Sequence, residues 1–335
     1  MPPLTPKTTL VIILGASQFR PGKWDFRSEP AFRRSALALR RYLRAEEGFA
    51  LPEENLHDLF DSLDPYQLQS ESIKIFLNSR FKKGAEDSSW TPRDLIVAYI
   101  GHGFKTETDY CLILRSTPPY EFQFAYGVKS LAATFAANAA NLRRYLILDC
   151  CFAEHAVAEF TDAPPGSAGL SLLCASSREE RARVEGKYTM FSGALLDILM
   201  NGVARYPAQL SLNHLCDVTK GLIARRYPDR AVLPVVRSPD QTDGDLAKLG
   251  IFQNRLQRGP LGVLLVLKTL LTELARFANY DPPSLPRVQT KCVNVISPPV
   301  LKSRLRQISA WVMRLFPWLA LAAAVAYITY QRLWR

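Results

Sequence analysis

Hydrophobic positions in the first 250 residues come in two alternating forms. Short, nearly unbroken apolar runs at Thr8 to Leu14, Leu56 to Phe60, Leu95 to Ile100, Cys111 to Leu114, Tyr145 to Leu148 and Leu172 to Ala175 predict strands, most of them too short to be helices. Between them, apolar residues recur at helical spacing. Ala31 to Arg44 sets Leu37, Leu39, Tyr42 and Leu43 among arginines, and Leu68 to Phe81, Val128 to Leu142, Phe191 to Met200 and Leu212 to Arg226 read the same way. Strand and helix in alternation predict an α/β fold: a three-layer sandwich with a mostly parallel sheet covered by helices on both faces.

The alternation stops after Ile251 and Phe252, which places a domain boundary near Asn254. Residues 255–310 hold one apolar helical stretch, Leu261 to Ala278, then a basic segment with Pro282, Pro283, Pro286, Pro298 and Pro299. Residues 311–335 predict a C-terminal transmembrane helix. Leu315 to Gln331 carries no charge and would span about 25 Å as a helix, against about 30 Å of hydrocarbon. Arg314, Arg332 and Arg335 can snorkel to the headgroups, and Trp311, Trp318, Tyr327, Tyr330 and Trp334 stand where interfacial aromatics gather. A buried terminal helix, or one lying flat in the interface, are the alternatives. Lys302, Arg304, Arg306 and Arg314 precede the segment and only Arg332 and Arg335 follow it, a bias that leaves the folded domain in the cytoplasm, held by a single-pass anchor.

Charge sharpens this division. The chain has a formal net charge of +11 over 335 residues, but the 12 Lys and Arg from Arg255 onward face only Glu273 and Asp281. The folded part is therefore nearly neutral, and a basic tail beside an apolar segment points to an anionic membrane surface as partner, not to nucleic acid. Cysteines at 111, 150, 151, 174, 216 and 292 have neither zinc-ribbon spacing nor that of a secreted disulfide framework. No metal or cofactor is expected. Gly15-Ala-Ser-Gln-Phe after the first strand supplies no phosphate loop, which argues against a nucleotide-binding domain.

Two strand ends carry the candidate chemistry. One runs into Gly101-His102-Gly103, the other into Cys150-Cys151-Phe152 as a helical pattern begins. In open α/β sheets, sites lie beyond the carboxyl ends of the strands. A thiol opening a helix beside an imidazole can pass its proton to that imidazole, and the backbone N–H groups of Gly103 and Cys151 could face a developing oxyanion. Cysteine is also among the most buried residue types, so a plain core role for either thiol stands beside the catalytic one. His155 would share a helix face with Cys151 and is read as exposed or capping; His57 and His214 sit in ordinary structural contexts.

The runs Leu95-Ile-Val-Ala-Tyr-Ile-Gly-His-Gly103 and Tyr145-Leu-Ile-Leu-Asp-Cys-Cys-Phe152 resemble the two motifs of the caspase, metacaspase and paracaspase superfamily. Leu10-Val-Ile-Ile-Leu-Gly15, Leu172-Leu-Cys-Ala-Ser-Ser177 and Lys187-Tyr-Thr-Met-Phe-Ser-Gly-Ala-Leu-Leu196 extend the resemblance over residues 8–254. It implies a caspase-like peptidase domain with Cys151 as nucleophile, His102 as general base and acid, and the Gly103 and Cys151 N–H groups as oxyanion hole. Asp149 takes the family's Asp-x-Cys position, which in metacaspase-like members favours Arg or Lys before the scissile bond. Where metacaspases commonly follow the nucleophile with His-Ser-Gly, this chain has Phe152, Ala153 and Glu154.

The resemblance implies a protein substrate, a role in regulated cell death or defence, and either a homodimer or an activating partner as the open question of assembly. A second reading is a catalytically silent scaffold of the same fold recruited to the membrane. The presence together of His102, Cys151, the glycines and Asp149 favours the enzyme.

Overall fold

In a computed structural model, a six-stranded sheet runs through the centre of the unit Met1–Asn254. The structure describes residues 4–257 apart from 22–25, 88–89, 162–164, 178–182 and 243. The membrane-anchor expectation for 311–335 and the helix expected at Leu261 to Ala278 lie outside the described residues. Among those described, no helix is long and apolar enough to cross a membrane.

In chain order the elements are β1 Thr9–Gly15, α1 Pro30–Arg44, β2 Leu56–Asp58, α2 Tyr66–Glu86, β3 Asp94–Ile100, β4 Gly103–Lys105, β5 Tyr110–Leu112, β6 Tyr126–Gly127, α3 Val128–Asn138 and β7 Arg143–Asp149. They continue with β8 Leu170–Cys174, β9 Val184–Glu185, β10 Tyr188–Thr189, α4 Met190–Asn201, β11 Gln209–Leu210, α5 Leu212–Arg226, β12 Val235–Asp240 and β13 Phe252–Gln253. The main sheet has the order β12-β8-β7-β3-β1-β2, with β12 antiparallel to β8 and every other pairing parallel.

Each inner strand is buried along its length because it has packed helices on both faces. Alternate residues serve opposite cores. Val11, Ile13, Ile96, Ala98 and Ile147 meet side chains of α1, α4 and α5, whereas Leu10, Ile12, Leu95, Val97 and Leu146 meet those of α2 and α3. At α1, α4 and α5 a side chain supplies the first acceptor. The Glu29 carboxylate accepts from Ala31 N at 3.0 Å ahead of α1, and Ser211 exchanges bonds with His214 in a capping box that opens α5.

Three expectations are corrected by the coordinates. Cys111 to Leu114 does not join the main sheet: β5 pairs with β4 and β6 in a separate antiparallel sheet, since the chain turns back directly after His102. The edge strand β12 was not expected. Its sequence, Val-Val-Arg-Ser-Pro-Asp, is polar and half-exposed and holds a proline, which an edge tolerates. Finally, the helical pattern after Cys151 is a 3-10 stretch, Ala153–Phe160, entered through Phe152 in the left-handed region at φ 55°. The thiol therefore sits at a sharp corner instead of on the first turn of an α-helix.

Candidate active site

Register builds the site. β3 and β7 lie side by side in parallel, about 4.8 Å apart, with Ile100 opposite Asp149 at their carboxyl ends. The Gly101 amide then donates to the Asp149 carbonyl at 3.1 Å, carrying the pairing one step past the strands. His102 and Cys151 each stand two residues beyond the Ile100–Asp149 pair, so both leave the sheet at its carboxyl rim, at the same step past adjacent strands. The two turns touch. A Cβ added at Gly103 would lie 2.6 Å from the Cys151 carbonyl oxygen and 1.9 Å from the Tyr110 hydroxyl, so this position takes no side chain.

The imidazole is held on several sides. Phe19, Phe26 and Phe32 place their rings 4.8, 5.2 and 5.0 Å from that of His102, and Nε2 lies 2.9 Å from the carbonyl oxygen of Arg27. A carbonyl only accepts, so Nε2 carries the proton and Nδ1 is the ring's free lone pair in the neutral form. Burial among the phenylalanines holds the His102 pKa below the usual imidazole range, more than the Arg27 carbonyl and Glu29 raise it. At neutral pH the ring is thus a base.

The adjacent thiols occupy different environments. Cys150 is fully buried, with Sγ 3.2 Å from the Tyr110 hydroxyl, and burial pushes its pKa well above the ordinary thiol value. Cys111, Cys174 and Cys216 are buried as well, and burial raises Cys111 to about 11. Among the described residues, Cys151 is the one cysteine that is not buried.

Asp149 ends β7, two residues before Cys151. It is 1% exposed, and Oδ2 accepts from the hydroxyls of Thr189 and Ser192, each at 2.5 Å. Its Oδ1 is buried with no hydrogen-bond partner. Burial drives this carboxyl up to about 6, and the hydroxyl and amide donors of Ser192 and Thr189 offset only part of that rise. The sequence pattern brings Asp149 here but gives no sign of Thr189 and Ser192, which come from the start of α4 some 40 residues later.

The other histidines hold structural places. His57 bonds the Ser72 hydroxyl at 2.9 Å and stacks on Phe76, and His214 caps α5. The ring of His155 packs against that of Tyr110 at 6.2 Å. Among the described residues no group of three or more His, Cys, Asp or Glu could hold a metal ion.

No protein-family model matches this chain, and no curated protein matches it. Solved structures do. Caspase-1 from Spodoptera frugiperda aligns with a TM-score of 0.46 at 16% identity, over 70% of this chain and 87% of its own. A structural-genomics target from Geobacter sulfurreducens aligns with a TM-score of 0.49 at 16% identity, over 72% of this chain and 97% of its own. At this identity and TM-score the likeness assigns neither chemistry nor substrate.

Proposed function

We propose that this chain is a caspase-like cysteine endopeptidase in which Cys151 is the nucleophile and His102 the general base and acid. The observation that carries the reading is the register of β3 and β7. An imidazole with a committed Nε2–H, and the one described thiol that is not buried, follow at the same step past these two paired strands.

The chemistry follows from these groups. His102 Nδ1 takes the Cys151 proton as Sγ attacks the scissile carbonyl, and the Gly103 and Cys151 N–H groups receive the oxyanion. Collapse of the tetrahedral intermediate breaks the C–N bond, and the imidazolium returns its proton to the leaving amine. Water, deprotonated by the same ring, then hydrolyses the thioester and frees Cys151.

Asp149 gives this reading a substrate preference. A carboxylate with one buried oxygen lacking a donor is completed by a cationic side chain, so Arg or Lys occupies the position before the cleaved bond. The protein substrate is met at a membrane to which residues 311–335 anchor the domain, facing the cytoplasm, in a cell-death or defence programme.

Fluorogenic peptides ending in Arg, Lys or Asp test both parts. Turnover of the Arg and Lys peptides that disappears in Cys151→Ala is the expected outcome. Preference for Asp overturns the specificity, and turnover that survives Cys151→Ala overturns the nucleophile.

A further inference from the structure

Each donor of the proposed oxyanion hole belongs to a peptide unit whose carbonyl is gripped from the opposite side. The Gly103 N–H shares its peptide plane with the His102 carbonyl, which accepts from the Tyr99 hydroxyl at 2.6 Å and from Ile113 N at 3.0 Å. Tyr99 is fully buried beneath the loop, and the Ile113 carbonyl at 2.9 Å is a second acceptor for its one proton. The Cys151 N–H shares its plane with the Cys150 carbonyl, which accepts from the Ser176 hydroxyl at 3.0 Å. Ser176 is also fully buried, and it accepts from Ala153 N at 3.3 Å, tying the corner after the nucleophile to the end of β8.

In a trans peptide the N–H points away from the C=O of the same plane. Gripping the two carbonyls therefore aims both amides outward, and it does so from inside the core, where the hydroxyls have no water to turn toward. The peptide plane on the other side of Cys151 is fixed in the same manner, since Tyr110 donates to the Cys151 carbonyl at 2.5 Å.

We infer that Tyr99 and Ser176 are positioning residues for the oxyanion hole, acting through the His102–Gly103 and Cys150–Cys151 peptides without touching substrate. The inference rests on the proposed peptidase reading. It also explains why two polar side chains stand fully buried beside two apolar cores: their hydroxyls are used on the backbone of the site.

The assignment separates steps that build an oxyanion from steps that do not. Hydrolysis and peptidyl-aldehyde binding both need an oxygen anion held at the amides, whereas alkylation of Cys151 by iodoacetamide displaces iodide and forms none. In the full chain, Ser176→Ala lowers kcat about tenfold or more, short of the loss on deleting a donor outright, with KM little changed. Affinity for a peptidyl aldehyde drops in parallel, and the iodoacetamide rate stays at the wild-type value. Tyr99→Phe follows the same pattern with a smaller fall, because Ile113 N still holds the His102 carbonyl. Urea midpoints for both variants identify any loss of fold. Ser176→Thr, which keeps the hydroxyl, restores kcat toward wild type.

An unchanged kcat in both hydroxyl-deleted variants overturns the inference. So does an alkylation rate that falls in step with kcat, since the hydroxyls would then act on the thiol. If wild-type turnover instead persists in Cys151→Ala, it is the peptidase reading that has failed, and the inference falls with it.

Discussion

The central sheet buries carboxylates at both ends and treats them in opposite ways. At the amino ends of β3 and β7, Asp94 receives two bonds from the Arg143 guanidinium, at 2.6 and 2.7 Å. Arg144 beside it reaches Asp240 at 3.0 Å and the Ser167 hydroxyl at 2.5 Å, and Ser167 also donates to Asp240. Burial raises the Asp94 carboxyl even with Arg143 on it; at Asp240 burial is outweighed by Ser167, Thr242 and Arg144, and the pKa is lowered. At the carboxyl rim, Asp149 has hydroxyls on one oxygen, no partner on the other, and among the described contacts no cation. One end is closed electrostatically and ties strands together. The other keeps an unmet charge beside a half-buried thiol, a costly arrangement for a fold and a useful one for a cationic substrate.

The largest effect that sharpens this contrast is at the nucleophile. Cys151→Ala removes at least about 10³-fold of peptide turnover, whereas Cys150→Ala, one residue away and sealed in the core, stays within several-fold of wild type. Equal losses would erase the distinction between the thiols.

Next comes stability. Asp94→Asn leaves the Arg143 cation buried without its anion and costs about 3–5 kcal/mol in urea unfolding. Asp149→Asn removes a buried charge with no ionic partner and at pH 7 stabilises the fold, by up to about 2–3 kcal/mol, the equivalent of a carboxyl raised from about 3.9 to about 6. Matching losses from the two variants would mean that the ends of the sheet do not differ.

Third, Asp149→Asn lowers the kcat/KM ratio of an Arg peptide over its Gln counterpart by about 30-fold, the loss of about 2 kcal/mol of charge pairing. A ratio that does not move places the selectivity elsewhere.

The smallest effect is the pH dependence of that ratio in the wild type. A carboxyl raised to about 6 is anionic above that pH and neutral below it, so Arg preference declines as pH falls through about 6. Taking the ratio cancels the titration of His102, which affects both peptides alike. Stability carries the opposite sign. A raised folded-state value favours the fold fully only below the unfolded carboxyl pKa of about 3.9, and this contribution is lost as pH rises through about 6. Asp149→Asn flattens both trends.

Much of this was legible in the sequence, for physical reasons that can be named. The inner strands are buried on both faces, so β1, β3, β7 and β8 appear as unbroken apolar runs, and the positions ending β3 and β7 follow directly. The strand pattern alone therefore puts His102, Gly103, Asp149 and Cys151 at the rim. What the sequence did not disclose depends on long-range backbone approach. The Arg27 carbonyl that orients His102 carries no side-chain signature and lies 75 residues away. Tyr99 and Ser176 sit inside or just beyond apolar strands, where a hydroxyl looks like an ordinary strand residue until the carbonyl it grips is known. The half-exposed pattern of β12 hid an edge strand for the same reason that edges tolerate polar residues.

The central claim is that the imidazole beyond β3 serves the thiol beyond β7, and the rate of iodoacetamide labelling, resolved to individual cysteines by mass spectrometry at pH 7, tests it most directly. Label is expected to enter at Cys151 first, with His102→Ala slowing that labelling about tenfold while Cys150 stays unlabelled. Equal rates with and without His102, or label that enters at Cys150 instead, would contradict it.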